Sequence, residues 1–581
     1  MSSRQKTPKK PKAAKDAQRQ TRNVPTTTLL KNAGTAAALL LLAGLSSPVS
    51  QLNLSPVYGS IPASLHHQRA MTITALAALI GRGALKKYVP DSIGDYVAVI
   101  AYWSPVIQFL LFPYSGKLGI TYGPVVTEGL TYFPLLFLSL IAAGNLLDCL
   151  DPSKFNLPSS LKDALIPTAS YFTVSTTSKV AAAIIPTLVG NHIYLTRIGF
   201  QMLIASASAF LTPSRVILFA FPAILHSLWA NPHFPSESAF QKANSTLFAT
   251  ENYTLLARQE SLTGYVSVVE SQLESGFRIL RCDHSLLGGE WLVTPSAYAK
   301  GQRKRETIFS VFVLLEAVRL VQPQRAIKAE PVPDSKKSAL VIGLGIGTAP
   351  NALIAHGINT TIVELDPVVH HYATKYFDLS PKHTAVIDDA VAYVEAKHKT
   401  NPRSFDYIIH DVFTGGAEPV SLFTVEFLQG LSALLADDGV IAINYAGDLS
   451  LGSTRLVLNT IHSVFPACRI FRDSAPPKDL KDGDSDFINM VMFCIKGDEN
   501  KHAIQFREAN QDDLMDSLAR RSYLQPNPDW EVMFEFVPEA RGGQIMGKKD
   551  VGELEKYHKG SAVNHWKVMR QVLPESVWNM W

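Results

Sequence analysis

Four short apolar runs between residues 338 and 411 each lead directly into glycines or acids. Residues 339–342 continue into Gly343-Leu344-Gly345-Ile346-Gly347, which predicts a buried strand that turns sharply into a helix. The other three runs, each with the acids that follow it, are residues 360–363 with Glu364, residues 384–387 with Asp388 and Asp389, and residues 407–409 with Asp411. Acids at the carboxyl ends of neighbouring strands are typical of an open α/β sheet that binds a ligand at that edge.

The glycine spacing restricts the kind of ligand. A dinucleotide site uses G-x-G-x-x-G, whereas here the third glycine comes one residue early and is followed by Thr348 and Ala349. This spacing favours a nucleoside without a pyrophosphate, such as S-adenosylmethionine or its decarboxylated form. Glu364 is placed to accept hydrogen bonds from both ribose hydroxyls, and Asp388 or Asp389 is placed to accept one from the adenine amino group.

These residues, together with the segment DVFTGGAEPVSLFT at residues 411–424, resemble the spermidine and spermine synthase family. The chain is most similar to the membrane-fused spermidine-synthase-like members of that family, and the resemblance extends over residues 253–493. It implies a Rossmann-like S-adenosylmethionine-binding domain preceded by a small β module. The implied roles are the methionine-like part of the cosubstrate for Gly343, Gly345 and Gly347, the ribose for Glu364, the adenine for Asp389, and the attacking amine for Asp411.

One stretch departs from the family pattern. Aminopropyltransferases carry a second acid a few residues after the strand-end aspartate, where it helps to hold the diamine, but this chain has Thr414 and Gly416 there. Glu418 or Glu426 could substitute for the missing acid, and the ring of Phe413 is a further candidate for acceptor binding, since an aromatic face attracts an ammonium group. The missing acid also fits methyl transfer to a different acceptor.

We therefore predict a transferase that moves an aminopropyl group from decarboxylated S-adenosylmethionine to an amine or polyamine, without a metal. Two alternatives stay open. The first is an S-adenosylmethionine-dependent methyltransferase that acts on another nucleophile. The second is a membrane protein that senses the nucleoside without turnover. In either reaction, Asp411 would orient the acceptor or take its proton.

The chain is 581 residues long, and its first half has a different composition from the sheet region. Residues 1–31 carry nine Lys and Arg against one Asp, which indicates a disordered basic tail. Residues 32–231 contain recurring apolar stretches, several of them interrupted by proline or charge. Because about 20 apolar residues cross a bilayer as a helix, we predict a transmembrane region of six to eight helices there.

The remaining boundaries follow composition and the resemblance. Residues 232–322 are the small β module, 323–337 the linker, 338–495 the catalytic domain and 496–581 a C-terminal extension, interpreted first as a helical cap. Expected partners are a lipid bilayer, a small amine or other nucleophilic acceptor, and a second copy in a possible homodimer. No nucleic-acid partner is expected.

The source of the cosubstrate and the cysteine pattern predict which side of the membrane the catalytic domain faces. S-adenosyl cosubstrates are made in the cytosol, so we favour an endomembrane protein with an even number of spans and a catalytic domain facing the cytosol. An odd number would place that domain on the other side. The four cysteines, Cys149, Cys282, Cys468 and Cys494, form neither CxxC pairs nor metal spacings, and we expect free thiols.

Overall fold

A computed structural model describes residues 25–85, 91–150, 158–323, 332–412, 419–476, 487–496, 504–537 and 542–581. Three parts follow one another: a helical region, a five-stranded sheet and a seven-stranded sheet with C-terminal helices around it. The helices of the first part are α1 (Thr26–Tyr58), α2 (Ser60–Ser64), α3 (His67–Leu85), α4 (Val97–Leu111), α5 (Ser115–Leu130), α6 (Tyr132–Leu147), α7 (Ser159–Leu188), α8 (Arg197–Leu211), α9 (Phe221–Leu225) and α10 (Glu237–Glu251).

Helix α1 is the central helix of the helical region. It packs against α6, α7 and α8, and its buried residues include Leu39, Leu40 and Leu54. Two segments of the described chain are long and apolar enough to cross a membrane, Thr26–Tyr58 and Ser92–Leu147. This is fewer than the predicted six to eight, because helices such as α3 and α7 carry charged and hydroxyl side chains. Core helices of soluble proteins meet the same criterion, so membrane insertion stays a prediction.

The small β module is a meander of antiparallel strands, as expected. Its strands are β1 (Tyr253–Glu260), β2 (Tyr265–Ser271), β3 (Phe277–Cys282), β4 (Ser285–Trp291) and β5 (Glu306–Thr307), and a short helix α11 (Pro295–Ala299) precedes β5. Helix α12 (Ser310–Leu315) follows β5 and gives way to a 3₁₀ turn.

The seven-stranded sheet has the doubly wound arrangement that the strand-end acids predict. Its strands are β7 (Ser338–Ile342), β8 (Asn359–Glu364), β9 (Thr384–Ile387), β10 (Phe405–His410), β11 (Leu435–Asp448), β12 (Ala467–Arg472) and β13 (Phe487–Ile495), after a short β6 (Val321–Pro323) that pairs with β14 (Ile504–Phe506). The order is β12-β13-β11-β10-β7-β8-β9, and only β13 runs antiparallel to its neighbours. The chain adds β8 and β9 on one side of β7 and then adds β10 and β11 on the other side. The order of strands therefore reverses between β7 and β10, and such sheets bind ligands at this switch point.

Helices cover both faces of this sheet and bury its apolar residues. They are α13 (Thr348–Ala355), α14 (Pro367–Tyr376), α15 (Ala390–Thr400), α16 (Val425–Leu434) and α17 (Gly452–Val464), followed by α18 (Gln511–Leu514), α19 (Leu518–Tyr523), α20 (Val551–Val572) and α21 (Glu575–Asn579). The C-terminal extension is thus largely helical, and α20 contacts both α2 and β4. It joins the helical region to the catalytic part.

Two buried arginines fasten the helical region to the β module. Arg197 of α8 is fully buried and forms ion pairs with Glu260 of β1 and with Asp283, the latter at 2.9 Å. Arg281 of β3 donates to the carbonyl oxygens of Pro56 in α1 and Val577 in α21, at 2.7 and 2.6 Å. Buried cations of this kind need partners on all sides, so they fix the two parts against each other.

The prediction of four free cysteines is wrong for two of them. Cys468 and Cys494 form a disulfide, while Cys149 and Cys282 are free. The two bonded residues are directly opposite in the β12–β13 ladder, although 26 residues separate them in sequence. Disulfides are typical of chains that fold in an oxidising compartment.

We expect Arg197→Met to lower the free energy of unfolding by about 3–5 kcal/mol, because Glu260 and Asp283 would be left buried without their cation. Denaturant unfolding of the purified protein measures this change. The matched control is Arg403→Met, since Arg403 is 66% exposed and pairs with the equally exposed Asp437. A surface pair contributes only about 0–1 kcal/mol. Equal losses in both variants would contradict a fastening role for Arg197.

Candidate active site

A cavity of about 700 Å³ opens at the carboxyl ends of β7, β8 and β10. Every part of the described fold contributes to its wall. The helical region supplies Gly59 and Ser60, the β module supplies residues 282–287, and α20 supplies residues that include Met569. The bottom of the cavity is the edge of the seven-stranded sheet. A ligand bound there is enclosed by elements that are far apart in sequence.

The glycine series allows close approach of two backbone segments. Gly343 and Gly345 have positive φ angles, +86° and +54°. A Cβ atom at Gly343 would lie 2.0 Å from the carbonyl oxygen of Asp411, and one at Gly345 would lie 2.5 Å from that of Leu287. Both glycines line the cavity, as predicted. Gly347 packs against Leu379 and caps α13 instead, and it does not line the cavity.

Glu364 lies at the end of β8, beside the glycine turn. Its Oε2 accepts a hydrogen bond from the amide of Leu344 at 3.0 Å, and its Oε1 accepts one from the amide of Asp366 at 2.8 Å. Burial raises the pKa of Glu364 to about 7, although these backbone donors oppose the rise. The carboxylate therefore faces the cavity, fixed in orientation, and suits the two hydroxyls of a ribose.

Asp366 has a structural role by contrast. It is buried, caps α14 by accepting from the amide of Val368, and accepts from the hydroxyls of Ser261 and Thr263 in the β module. Asp388 and Asp389 lie at the end of β9 and line the cavity with exposed side chains. Asp389 caps α15 by accepting from the amide of Val391 at 2.7 Å.

Asp411 lies at the end of β10, next to the switch point of the sheet. Asn444 of β11 donates to its Oδ1 at 2.7 Å. Burial raises the pKa of Asp411 to about 6, and the hydrogen bond from Asn444 moderates the shift. The side-chain oxygen of Asn444 is buried without a hydrogen-bond partner among the described residues. Such an atom is costly to leave unpaired, so this part of the cavity is prepared for a ligand that donates hydrogen bonds.

Several residues that line the cavity were not predicted from the sequence, and the structure does not describe two of the predicted acceptor contacts. Phe413 and Glu418, the candidate acceptor contacts, lie outside the described residues. Asp473, directly after β12, was not singled out, although it is a strand-end acid at the same edge as Asp411. Residues of α12 and α20 carry no motif and enter the site through tertiary packing alone.

The arrangement fits an S-adenosyl cosubstrate. Carboxylates are present for a ribose and an adenine amino group, and two glycines line the adjoining wall. The described residues contain no group of three or more side chains able to hold a metal ion.

Comparison with known proteins agrees with this geometry at the domain level. A family model described as the spermine/spermidine synthase domain matches residues 325–472. A polyamine aminopropyltransferase from Vibrio vulnificus is 37% identical over 108 residues, which cover 18% of this chain and 36% of that protein. The resemblance to the spermidine synthase family is therefore confirmed for the catalytic domain.

A much longer match decides the family. An N-terminal histidine N-methyltransferase from Emericella nidulans is 44% identical over 555 residues, covering 94% of this chain and 97% of that protein. The chain belongs to the same family as this fungal enzyme. Membership makes it a transferase, and the prediction of aminopropyl transfer to a polyamine is wrong. The altered stretch at Thr414 and Gly416 had already departed from the diamine-binding pattern.

Among solved structures, a probable spermidine synthase from Corynebacterium glutamicum is similar with 18% identity and a TM-score of 0.35. The match covers 53% of this chain and 94% of that one. The sheet order and strand directions of this chain establish its fold without that match.

We expect Glu364→Ala to weaken binding of S-adenosylhomocysteine by about 1.5–3 kcal/mol, the usual contribution of hydrogen bonds to a charged group. In the unchanged protein the affinity should rise as pH increases through about 7, because the ionised carboxylate is the better acceptor and its pKa lies there. Titration calorimetry at several pH values measures both effects. Glu395→Ala, which removes an exposed carboxylate from α15, is the control and should change neither.

Proposed function

We propose that this protein transfers a methyl group from S-adenosylmethionine to a ring nitrogen of an N-terminal histidine. The full-length similarity to the fungal N-terminal histidine N-methyltransferase supports the reaction class. The observation that carries the chemistry is the Asp411–Asn444 pair, which presents a buried carboxylate and an unpaired amide oxygen to the cavity. Both groups accept hydrogen bonds, so either can bind the N–H group of a neutral imidazole.

S-adenosylmethionine supplies an electrophilic methyl carbon on a sulfonium. Glu364 and Asp389 hold the nucleoside through its hydroxyls and amino group. One imidazole nitrogen forms the bond to the methyl carbon while the carbon–sulfur bond breaks, and the bonding pair leaves with the sulfur. The other ring nitrogen gives up its proton to Asp411. Asn444 keeps the carboxylate in position, so the acceptor is oriented before it reacts.

The pKa of Asp411 favours an imidazole over an amine as the nucleophile. An imidazole has an ordinary pKa of about 6.5, so it is mostly neutral at pH 7, whereas an α-amine with a pKa of about 7.7 is mostly protonated. Asp411 has a pKa of about 6 and is mostly ionised under the same conditions. A carboxylate so close in pKa to the imidazole is well suited to exchange a proton with it.

The cavity wall also limits access of water. Beyond the carboxylates it is lined by apolar side chains, among them Phe309 and Phe312 near α12 and Met569 and Val572 of α20. Exclusion of water strengthens the hydrogen bonds made by Asp411 and Asn444, since electrostatic interactions are stronger in a medium of low polarity. The C-terminal extension is thus part of the proposed active site.

We further propose that the helical region lies in an endomembrane bilayer. Its surface exposes large apolar side chains on several helices, including Ile73 and Ile80 of α3, Phe172 of α7 and Phe210 of α8. Contiguous exposed apolar surface is typical of protein that faces lipid or a partner. The two span-length apolar segments support the same interpretation.

We expect Asp411→Asn to lower kcat for methylation by about 100-fold or more, the size of positioned acid–base assistance. The affinity for S-adenosylhomocysteine should stay within about twofold, because Glu364 and Asp389 are unchanged. Mass spectrometry of a peptide that begins with histidine measures the product. In the unchanged enzyme kcat should rise as pH increases through about 6, where Asp411 loses its proton.

Asp438→Asn is the matched control, because Asp438 is an exposed acid at the opposite end of strand β11 from Asn444. It should retain full activity. A fully active Asp411→Asn would exclude this residue from the chemistry. Failure of the unchanged enzyme to methylate any histidine peptide would refute the proposed reaction.

If the helical region is embedded in lipid, the full chain should stay in the membrane pellet after extraction with alkaline carbonate and move to the supernatant only with detergent. Recovery in the carbonate supernatant would contradict membrane insertion. An integral membrane protein of known behaviour in the same sample is the control.

A further inference from the structure

A further carboxylate lies in the same cavity, on the same side of the switch point as Asp411 and on the opposite side from Glu364. Asp473 follows β12 directly and lines the cavity together with Asp411 and Asn444. Because β12 runs parallel to β11 and β10, its carboxyl end lies at the same edge. The nucleoside carboxylates are at β8 and β9, on the other side of the switch point. Asp473 is therefore on the acceptor side.

The contacts of Asp473 leave its charge uncompensated within the described structure. Its Oδ2 accepts from the hydroxyl of Ser310 at 3.1 Å and weakly from the side-chain amide of Asn489 at 3.5 Å. The side chain of Ser474 and the backbone amide of Asp473 itself also donate to the carboxylate. These donors are neutral, and the described residues include no cation that pairs with it. Burial raises the pKa of Asp473 above its ordinary value. A buried carboxylate with only neutral donors gains most from a cationic partner.

Strand register gives the separation of the two acceptor-side acids. Asp473 is opposite Asn489, since its amide donates to that residue's carbonyl, and Asn489 is paired with Ala446. Asn444, which holds Asp411, is two residues from Ala446 on the same face. Asp411 follows His410, which pairs with Ile443, so Asp411 lies opposite Asn444 on the next strand. Two residues along a strand and three strand spacings place the Cα atoms of Asp411 and Asp473 roughly 16 Å apart. After subtraction of the two side chains, this distance suits one histidine residue.

We propose that Asp473 binds the protonated α-amine of the N-terminal histidine while Asp411 engages its ring, an inference that rests on the proposed function. Two carboxylates of the site then bind two nitrogen groups of the same residue. Only the first residue of a chain has a free α-amine, because in every later position that nitrogen belongs to a peptide bond. Asp473 thereby selects the terminal histidine over internal ones.

The aromatic wall next to Asp473 supports this assignment. Phe309 and Phe312 flank Ser310 in sequence, line the cavity, and pack edge to face with ring centroids 5.9 Å apart. An ammonium group beside aromatic rings and a carboxylate is favoured by both. A merely structural role for Asp473, as an acceptor that joins β12 to α12 through Ser310, predicts no preference for a charged acceptor.

Two peptides of the same sequence test the proposal: one begins with histidine, and the other begins with des-amino-histidine, which lacks only the α-amine. With the unchanged enzyme, we expect a KM about tenfold or more higher for the des-amino peptide and little change in kcat. Asp473→Asn should raise KM for the histidine peptide by a similar factor and leave the des-amino peptide unaffected. This double comparison isolates the contact between carboxylate and amine.

Two control variants separate the contact from general damage. Ser310→Ala removes the hydroxyl donor but keeps the carboxylate, and it should preserve the preference for the free amine. Asp438→Asn changes an exposed acid and should match the unchanged enzyme. Fragmentation of the product should place the methyl group on the ring.

Several outcomes would overturn the proposal. They are an unchanged enzyme that treats both peptides alike, an Asp473→Asn variant that loses activity on both peptides equally, or a methyl group on the α-amine. In the first two cases the unchanged enzyme still methylates the histidine ring, so the failure concerns Asp473 alone. A methyl group on the α-amine would refute the proposed ring methylation as well. Absence of methylation on both peptides with S-adenosylhomocysteine binding intact would refute the proposed function and this inference together.

Discussion

The contact between the glycine turn and the end of β10 is the constraint on which the site depends. Gly343 approaches the backbone of Asp411 so closely that any side chain there would collide with it. This approach brings the ends of β7 and β10 together at the switch point of the sheet. Glu364 then lies on one side of the crevice and Asp411 on the other. The proposed positions of the nucleoside and the acceptor are thereby in opposite halves of one cavity.

Burial gives the carboxylates at this edge their different properties. Glu364 is held by backbone amides, and Asp411 is held by one side-chain amide. Asp473 is held by neutral donors, chiefly the side chains of Ser310, Asn489 and Ser474. All three have raised pKa values, because burial disfavours their charged forms. Asp366, which receives several donors, is a structural residue beside them. The number and charge of the donors thus distinguish a carboxylate that awaits a ligand from one that is already satisfied.

Much of the catalytic sheet could be predicted from local sequence. Apolar runs of strand length located its strands, and the acids after them located Glu364, Asp389 and Asp411, since parallel strands bring their carboxyl ends to one edge. Pairing between distant segments could not be predicted. The disulfide between Cys468 and Cys494 depends on strand register, and the share of α20 in the cavity depends on its packing against α2 and β4. The reaction also could not be predicted, because two chemistries use the same nucleoside site.

Gly59 and Ser60, at the end of α1, line the same cavity as Glu364 and Asp411. The helical region therefore forms part of the cavity wall and cannot be exchanged for an unrelated segment. The helical region and the sheet have to evolve together. A change in the tilt of α1 would reshape the cavity as directly as a substitution in the sheet. This shared wall agrees with the extent of the similarities: the histidine methyltransferase matches across 94% of the chain, and the Vibrio aminopropyltransferase across 18%. Selection for the acceptor then acts on the helices as well as on the sheet.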